Sequence, residues 1–120
     1  MKIKILVPVY NDFESVSKLI NNINSVISNL NCEFSVLVVN DASTDKTEID
    51  VSSINNIKSI KIINMKENRG HARCNAAGLK YIFENEEFDY VIPMDGDGED
   101  RPEEIIKFVE FLKFDPSKPI

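Results

Sequence analysis

Two aspartates separated by one glycine, Asp95-Gly96-Asp97, are the residues of this sequence best suited to chemistry on a charged substrate. In an extended segment, residues two apart point to the same side. Both carboxylates can therefore face one hard cation, and the glycine between them allows close approach. Mg2+ or Mn2+ fits such a pair, because these ions take oxygen ligands at about 2.0–2.2 Å and are commonly completed by substrate phosphates rather than by a full protein cage. Fourteen Lys and Arg against 20 Asp and Glu leave a net charge of −6. That balance opposes the broad basic footprint of a nucleic-acid binder, so no nucleic-acid partner is expected, whereas a diphosphate can be held through a cation. The competing reading of the stretch is an acidic turn ahead of a helix, with Asp100 as N-cap and Glu103 three residues on; for Glu99 and Asp100 this reading is favoured.

Other motifs fail at these positions. A calcium-binding EF-hand loop starting at Asp95 needs glycine at its sixth place and glutamate at its twelfth, where Asp100 and Ile106 stand. No Gly-x-Gly-x-x-Gly follows a strand, and there is no Walker lysine or Gly-x-Ser-x-Gly, which argues against dinucleotide enzymes, P-loop nucleotidases and serine hydrolases. Cys32 and Cys74 stand far apart with a single histidine in the chain, so both are read as reduced, structural thiols rather than zinc ligands or a disulfide.

The elements that must position these residues follow from hydrophobic period. Ile3 to Val9 is a β-branched apolar run, and Val16, Leu19, Ile20, Ile23, Ile27 and Leu30 then recur at helical spacing. Asn11 with Glu14 resembles a capping box that starts this helix. Phe34–Val39 and Ser59–Ile63 read as further strands, with turn chemistry from Asp41 to Lys46 and at best weak helix from Thr47 to Asn56. Ala72, Ala76, Leu79, Ile82 and Phe83 mark a second helix. Asp89–Met94 is a fourth strand, in which Pro93 predicts an edge position or an irregularity. Pro102 stands at a first helical position, ahead of the stripe Ile105, Phe108, Val109 and Leu112. Apolar strands alternating with helices predict an α/β, Rossmann-like, mostly parallel sheet with helices on both faces. With 120 residues, 42% apolar and 28% charged, one domain is expected, spanning 1–114 with a tail at 115–120. The apolar runs fall far short of the roughly 20 residues that span a bilayer, and no secretory signal opens the chain, so a cytoplasmic location is expected.

In open α/β sheets ligands bind outside the carboxyl ends of the strands. Here those ends carry Tyr10-Asn11-Asp12, Asn40 to Asp45, Glu67 to His71, and Asp95 to Asp100. The blocks Val7-Pro8-Val9-Tyr10-Asn11, Val38 to Asp45, Asn68-Arg69-Gly70-His71 through Gly78, and Met94-Asp95-Gly96-Asp97 with Pro102-Glu103 resemble, in order and spacing, the family-2 glycosyltransferases. Within that family they look most like the branch of dolichol-phosphate mannosyltransferase and the bacterial polyprenyl-phosphate glycosyltransferases. The resemblance implies the N-terminal half of a GT-A fold and inverting transfer of a sugar from a nucleoside diphosphate donor of the UDP or GDP type. By position it implies that Pro8, Tyr10 and Asn11 border the base and ribose and that Asp41 accepts from the base. Asp95 then contacts the ribose or the metal-bound diphosphate, and Asp97, with Asp95, holds Mg2+ or Mn2+. Arg69, His71 and Arg73 are cations able to approach the donor phosphates; a solvated surface charge is nearly as good a reading for each, and a structural hydrogen bond the better one for His71.

Two departures from the pattern are visible. Many relatives have two consecutive aspartates and a glycine where this chain has Asn40-Asp41-Ala42. The family's general base and acceptor site lie beyond the Asp-x-Asp helix, so no catalytic base is expected among these 120 residues, and the chain is expected to be the inactive donor-binding half of a longer enzyme. A lipid-phosphate acceptor would place that enzyme at the cytoplasmic face of a membrane. The alternatives are a flavodoxin-like phosphoacceptor receiver, which needs an acidic pair directly after the first strand, and a non-catalytic module that keeps only the fold.

Overall fold

The computed structural model describes residues 1–45, 48–96 and 101–112. In chain order the elements are β1 (Lys2–Val9), α1 (Phe13–Val26), β2 (Glu33–Asn40), β3 (Ile57–Asn64), α2 (His71–Asn85), β4 (Tyr90–Pro93) and α3 (Glu103–Leu112). The four strands form one parallel sheet in the order β3-β2-β1-β4. β1 and β2 are buried along nearly their whole length, as near-continuous runs of Val, Ile and Leu require when both faces are covered.

The two-residue period of the strands sorts side chains between two cores. Ile3, Ile5, Val7 and Val9 join Phe34, Val36 and Val38 beneath α1 and α3, meeting Val16, Ile20 and Ile23 of the first helix and Ile105 and Val109 of the last. Leu6, Leu37 and Val39 face the other way, onto Cys74 and Ile82 of α2. Helices therefore cover both faces, as the sequence predicts. Pro93 also behaves as expected, because β4 lies at the sheet edge with Pro93 in register with Leu6, and Met94 N–H resumes the ladder to the Leu6 carbonyl at 2.9 Å.

Two local expectations are corrected. The side chain that caps α1 belongs to Asp12, which accepts from Ser15 N–H at 3.3 Å, and not to Asn11. Asn11 sits in the left-handed region at φ 52° with its amide turned toward the loop after β2. The buried stripe of α2 is Cys74, Gly78 and Ile82. Of the residues that mark this helix in the sequence, Ala72, Ala76, Leu79 and Phe83 face outward, Phe83 at 78% exposure. Packing selects the stripe: a Cβ at Gly78 would stand 2.3 Å from Leu6 Cδ1 and 3.0 Å from Val39 Cγ2, so only that side of the helix can approach the sheet closely. The proposed cap at Asp100 and the tail at 115–120 lie outside the described residues.

The β2–β3 connection has no helix among its described residues. It is anchored instead on Asn24, 92% buried in α1, whose amide oxygen accepts from Asn55 N–H at 3.1 Å and Asn56 N–H at 2.7 Å while its amide nitrogen donates to the Ser53 carbonyl at 3.3 Å. Ile49 and Ile54 then pack on the α1 core. Replacing Asn24 by Ala orphans these groups, and we expect it to lower unfolding free energy by about 1–3 kcal/mol in urea titrations, whereas an unchanged midpoint would contradict the anchoring role.

Candidate functional site

Four backbone and side-chain links draw the carboxyl ends of β1, β2 and β3 together. Asp41 N–H donates to the Val9 carbonyl at 2.8 Å, and Met65 N–H to the Asn40 carbonyl at 2.8 Å. The Asn40 amide nitrogen donates to Asn64 Oδ1 at 2.9 Å, and the Asn40 amide oxygen accepts from Ser43 N–H at 3.0 Å. Asn40, one of the departures from the family pattern, thus uses both halves of its amide to brace two loops.

Asp41 extends this frame to α2. Its side chain is 1% exposed, with Oδ1 accepting Arg69 N–H at 2.7 Å and Oδ2 accepting Gly70 N–H at 2.8 Å. Gly70, at φ +90°, is the residue from which α2 starts, so its lack of a side chain is required there. Burial pushes the Asp41 carboxyl upward, but the N–H groups of Arg69 and Gly70, the Cys74 thiol and His71 outweigh it and hold the pKa below the usual 3.8. The Cys74 thiol is pushed up to about 12, by burial first and then by the hydrogen bond to Asp41 and its charge. At neutral pH it is a protonated donor in the core, which agrees with the structural reading; both cysteines are free.

Beside this frame lies a depression of about 200 Å³ lined by Pro8, Val9, Tyr10, Asp12, Val16, His71 and Gly96. It is smaller than the roughly 300–1,000 Å³ of ordinary ligand sites, so it can take one part of an extended ligand whose remainder lies across its mouth. That mouth carries Asp95, half exposed, with its carboxylate 3.9 Å from His71 Nδ1. Gly96 seats the β4 end on α1, where a Cβ would meet Val16 Cγ2 at 2.8 Å. A wider hollow of about 670 Å³ between α1 and residues 48–52 is lined by Glu14, Glu48 and Asp50, a poor surround for an anion.

The structure therefore brings together Pro8, Tyr10, His71 and Asp95 from the sequence-derived set. Asn11 lies beside them but is turned to the β2 loop, and Asp41 lies beneath the α2 start. Arg69 pairs with Glu67, and the Arg73 side chain is exposed on α2; neither lines the depression. Asp97 lies outside the described residues. Among the described residues no group of three metal-binding side chains occurs. The sequence reading placed Asp12 and Ser43 in the strand-end blocks without a role and missed Asn64. Asp12 carried a local signal as a good capping residue directly before the helical stripe, whereas the Ser43 hydroxyl and Asn64 meet partners 32 and 24 residues away.

Residues 4–118 match the family described as glycosyl transferase family 2, and the chain belongs to that family. An uncharacterized glycosyltransferase of Synechocystis sp. is 33% identical over 113 residues, covering 92% of this chain and 34% of the relative. Dolichol-phosphate mannosyltransferase of Pyrococcus furiosus is 28% identical, covering 94% of this chain and 30% of the relative. The chain thus spans about a third of the length of the curated relatives it matches. Among solved structures, residues 1–349 of S. aureus TarS superpose with a TM-score of 0.66 at 26% identity, over 93% of this chain and 32% of that one. The same TarS portion in complex with UDP-GlcNAc gives a TM-score of 0.62 at 25% identity, over 93% of this chain and 31% of that one. The α/β sheet with helices on both faces is thereby that of GT-A relatives. A receiver reading has no support: β1 is followed by Tyr10, Asn11 and Asp12, and Asp12 is spent as a helix cap.

Because the folded-state pKa of Asp41 lies below the unfolded one, its ionised form adds stability that is present above the unfolded value near 3.8 and lost as pH falls through the lower folded value. We expect Asp41→Asn to cost about 1–3 kcal/mol at pH 7 and to lose less stability than the wild type on acidification through and below pH ~4. Equal losses in urea titrations of the two proteins would contradict this.

Proposed function

We propose that this chain is the donor-binding part of an inverting glycosyltransferase that uses a nucleoside diphosphate sugar. The observation that carries the reading is the depression at the β1 end, where Pro8, Tyr10 and His71 meet beside Asp95. TarS, a relative in fold, has been solved with UDP and with UDP-GlcNAc, which favours a uridine diphosphate donor.

In this reading Tyr10, 44% exposed, offers its ring to the base while Pro8 floors the depression. Asp41 holds the Asn68–Gly70 turn beside the site through the N–H groups of Arg69 and Gly70, and its carboxylate keeps a further lone pair with which to accept from the base. The start of α2 presents backbone N–H groups and the positive end of the helix dipole, with Arg69, His71 and Arg73 close by in sequence to approach the phosphates. Asp95 and Asp97 would hold Mg2+ or Mn2+, whose further ligands donor phosphates commonly supply. When bound, the ion supplies charge neutralisation on the leaving diphosphate. No residue of this chain is assigned as general base; deprotonation of the acceptor falls to the acceptor-binding part of the enzyme. The likeness to dolichol-phosphate mannosyltransferase favours a polyprenyl-phosphate or other cell-envelope acceptor and work at a cytoplasmic membrane face. No described helix is long and apolar enough to cross a membrane.

Thermal unfolding with Mn2+ plus UDP tests the donor reading. Ligand at a hundredfold its Kd adds about 2.7 kcal/mol to stability, so a clear rise in Tm is expected. Asp95→Asn and Asp97→Asn should each remove the Mn2+-dependent part of that rise. A wild-type Tm indifferent to UDP and Mn2+ would overturn the proposal.

A further inference from the structure

We infer that Asn11 is a positioning residue that sets the width of the donor site by latching the β1 loop to the β2 loop, and that it does not read the base with its own amide. The inference rests on the donor-binding function proposed above. Asn11 Oδ1 accepts Thr44 N–H at 2.7 Å, Asp45 N–H at 3.2 Å and Thr44 Oγ–H at 3.4 Å. In return Asn11 N–H donates to Ser43 Oγ at 2.9 Å. The acceptor half of the amide is therefore fully engaged, more than 30 residues along the chain. Its Nδ2 makes no hydrogen bond within the protein among the described residues.

Backbone conformation points the same way. Asn11 at φ 52° and Ala42 at φ 58° are the described non-glycine residues in the left-handed region, and they lie on opposite sides of this latch. Such conformations persist where surrounding contacts over-determine them, and here Asn11 and Asn40 both hold the segment that follows Ala42. Asn11 also directly follows Tyr10, which lines the depression, so the latch acts one residue from the site. Asn11 is exposed and bridges two strand-end loops.

The test uses uridine, which is uncharged, as the probe, together with amide hydrogen exchange. Asn11→Ala removes the acceptor; Asn11→Asp keeps an oxygen for the same N–H groups but loses the Nδ2 donor. We expect Asn11→Ala to weaken uridine binding roughly tenfold and to accelerate exchange at Thr44 and Asp45, with Asn11→Asp within about twofold of wild type on both. Equal loss of uridine binding in Asn11→Asp and Asn11→Ala would overturn the inference, because it would place the donor half of the amide on the base. Unchanged Thr44 exchange in Asn11→Ala would overturn it as well. Failure of the wild type to bind uridine or UDP would sink the donor reading instead, and the latch would still stand or fall on the exchange rates.

Discussion

A buried carboxylate bound by two backbone N–H groups holds this structure's functional end together. Asp41 closes β2, and its oxygens take the N–H groups of Arg69 and Gly70, which precede α2. A charge this deeply buried is tolerated only when it is hydrogen-bonded, and its donors are the N–H of the N-cap Gly70 and that of Arg69 before it. One interaction thereby answers two demands: the carboxylate needs donors, and the entry to α2 needs an acceptor. The consequence is positional. α2 is fixed with His71 at the sheet's carboxyl edge, 3.9 Å from Asp95 at the end of β4, and that proximity defines the mouth of the candidate site.

The rest of the molecule serves this arrangement by rigid packing. Gly78 lets α2 lie close on Leu6 and Val39, so the helix whose entry Asp41 holds is seated closely on the sheet. Gly96 does the equivalent for the β4 end against Val16. The loops at the ends of β1 and β2 are held by side-chain amides, Asn40 and Asn11, rather than by regular structure. Neutral amides suit that place, since each can both donate and accept without adding negative charge where a diphosphate would lie.

Much of this was legible in the sequence because it rests on periodicity. The apolar runs of β1 and β2, the stripe of α1 and the edge place of β4 with its Pro93 were readable from neighbours alone. α2 was legible as a helix but not in its orientation. Its sequence carries two apolar stripes, and only the close approach permitted at Gly78 decides that Cys74 and Ile82 go inward while Leu79 and Phe83 stay out. The cap of α1 was ambiguous for a similar reason, since Asn11 and Asp12 are both good capping residues and the choice is made by Thr44, far along the chain. The ordered strand-end blocks marked the site region and, through the family resemblance, the residues Pro8, Tyr10, His71 and Asp95. What the blocks could not give was Asp41's partnership with Arg69 and Gly70, 28 and 29 residues on, which exists only once the sheet has formed.

Backbone amide shifts in a 1H–15N NMR titration with UDP and Mg2+ test the central claim that the strand-end frame built on Asp41 is a nucleotide diphosphate site. The account requires the perturbed amides to cluster at Tyr10, Asn11, Ser43, Arg69 to His71, and Asp95 to Gly96. Shifts centred instead on Glu14, Ser17 and residues 48–52, or no saturable shift anywhere, would contradict it.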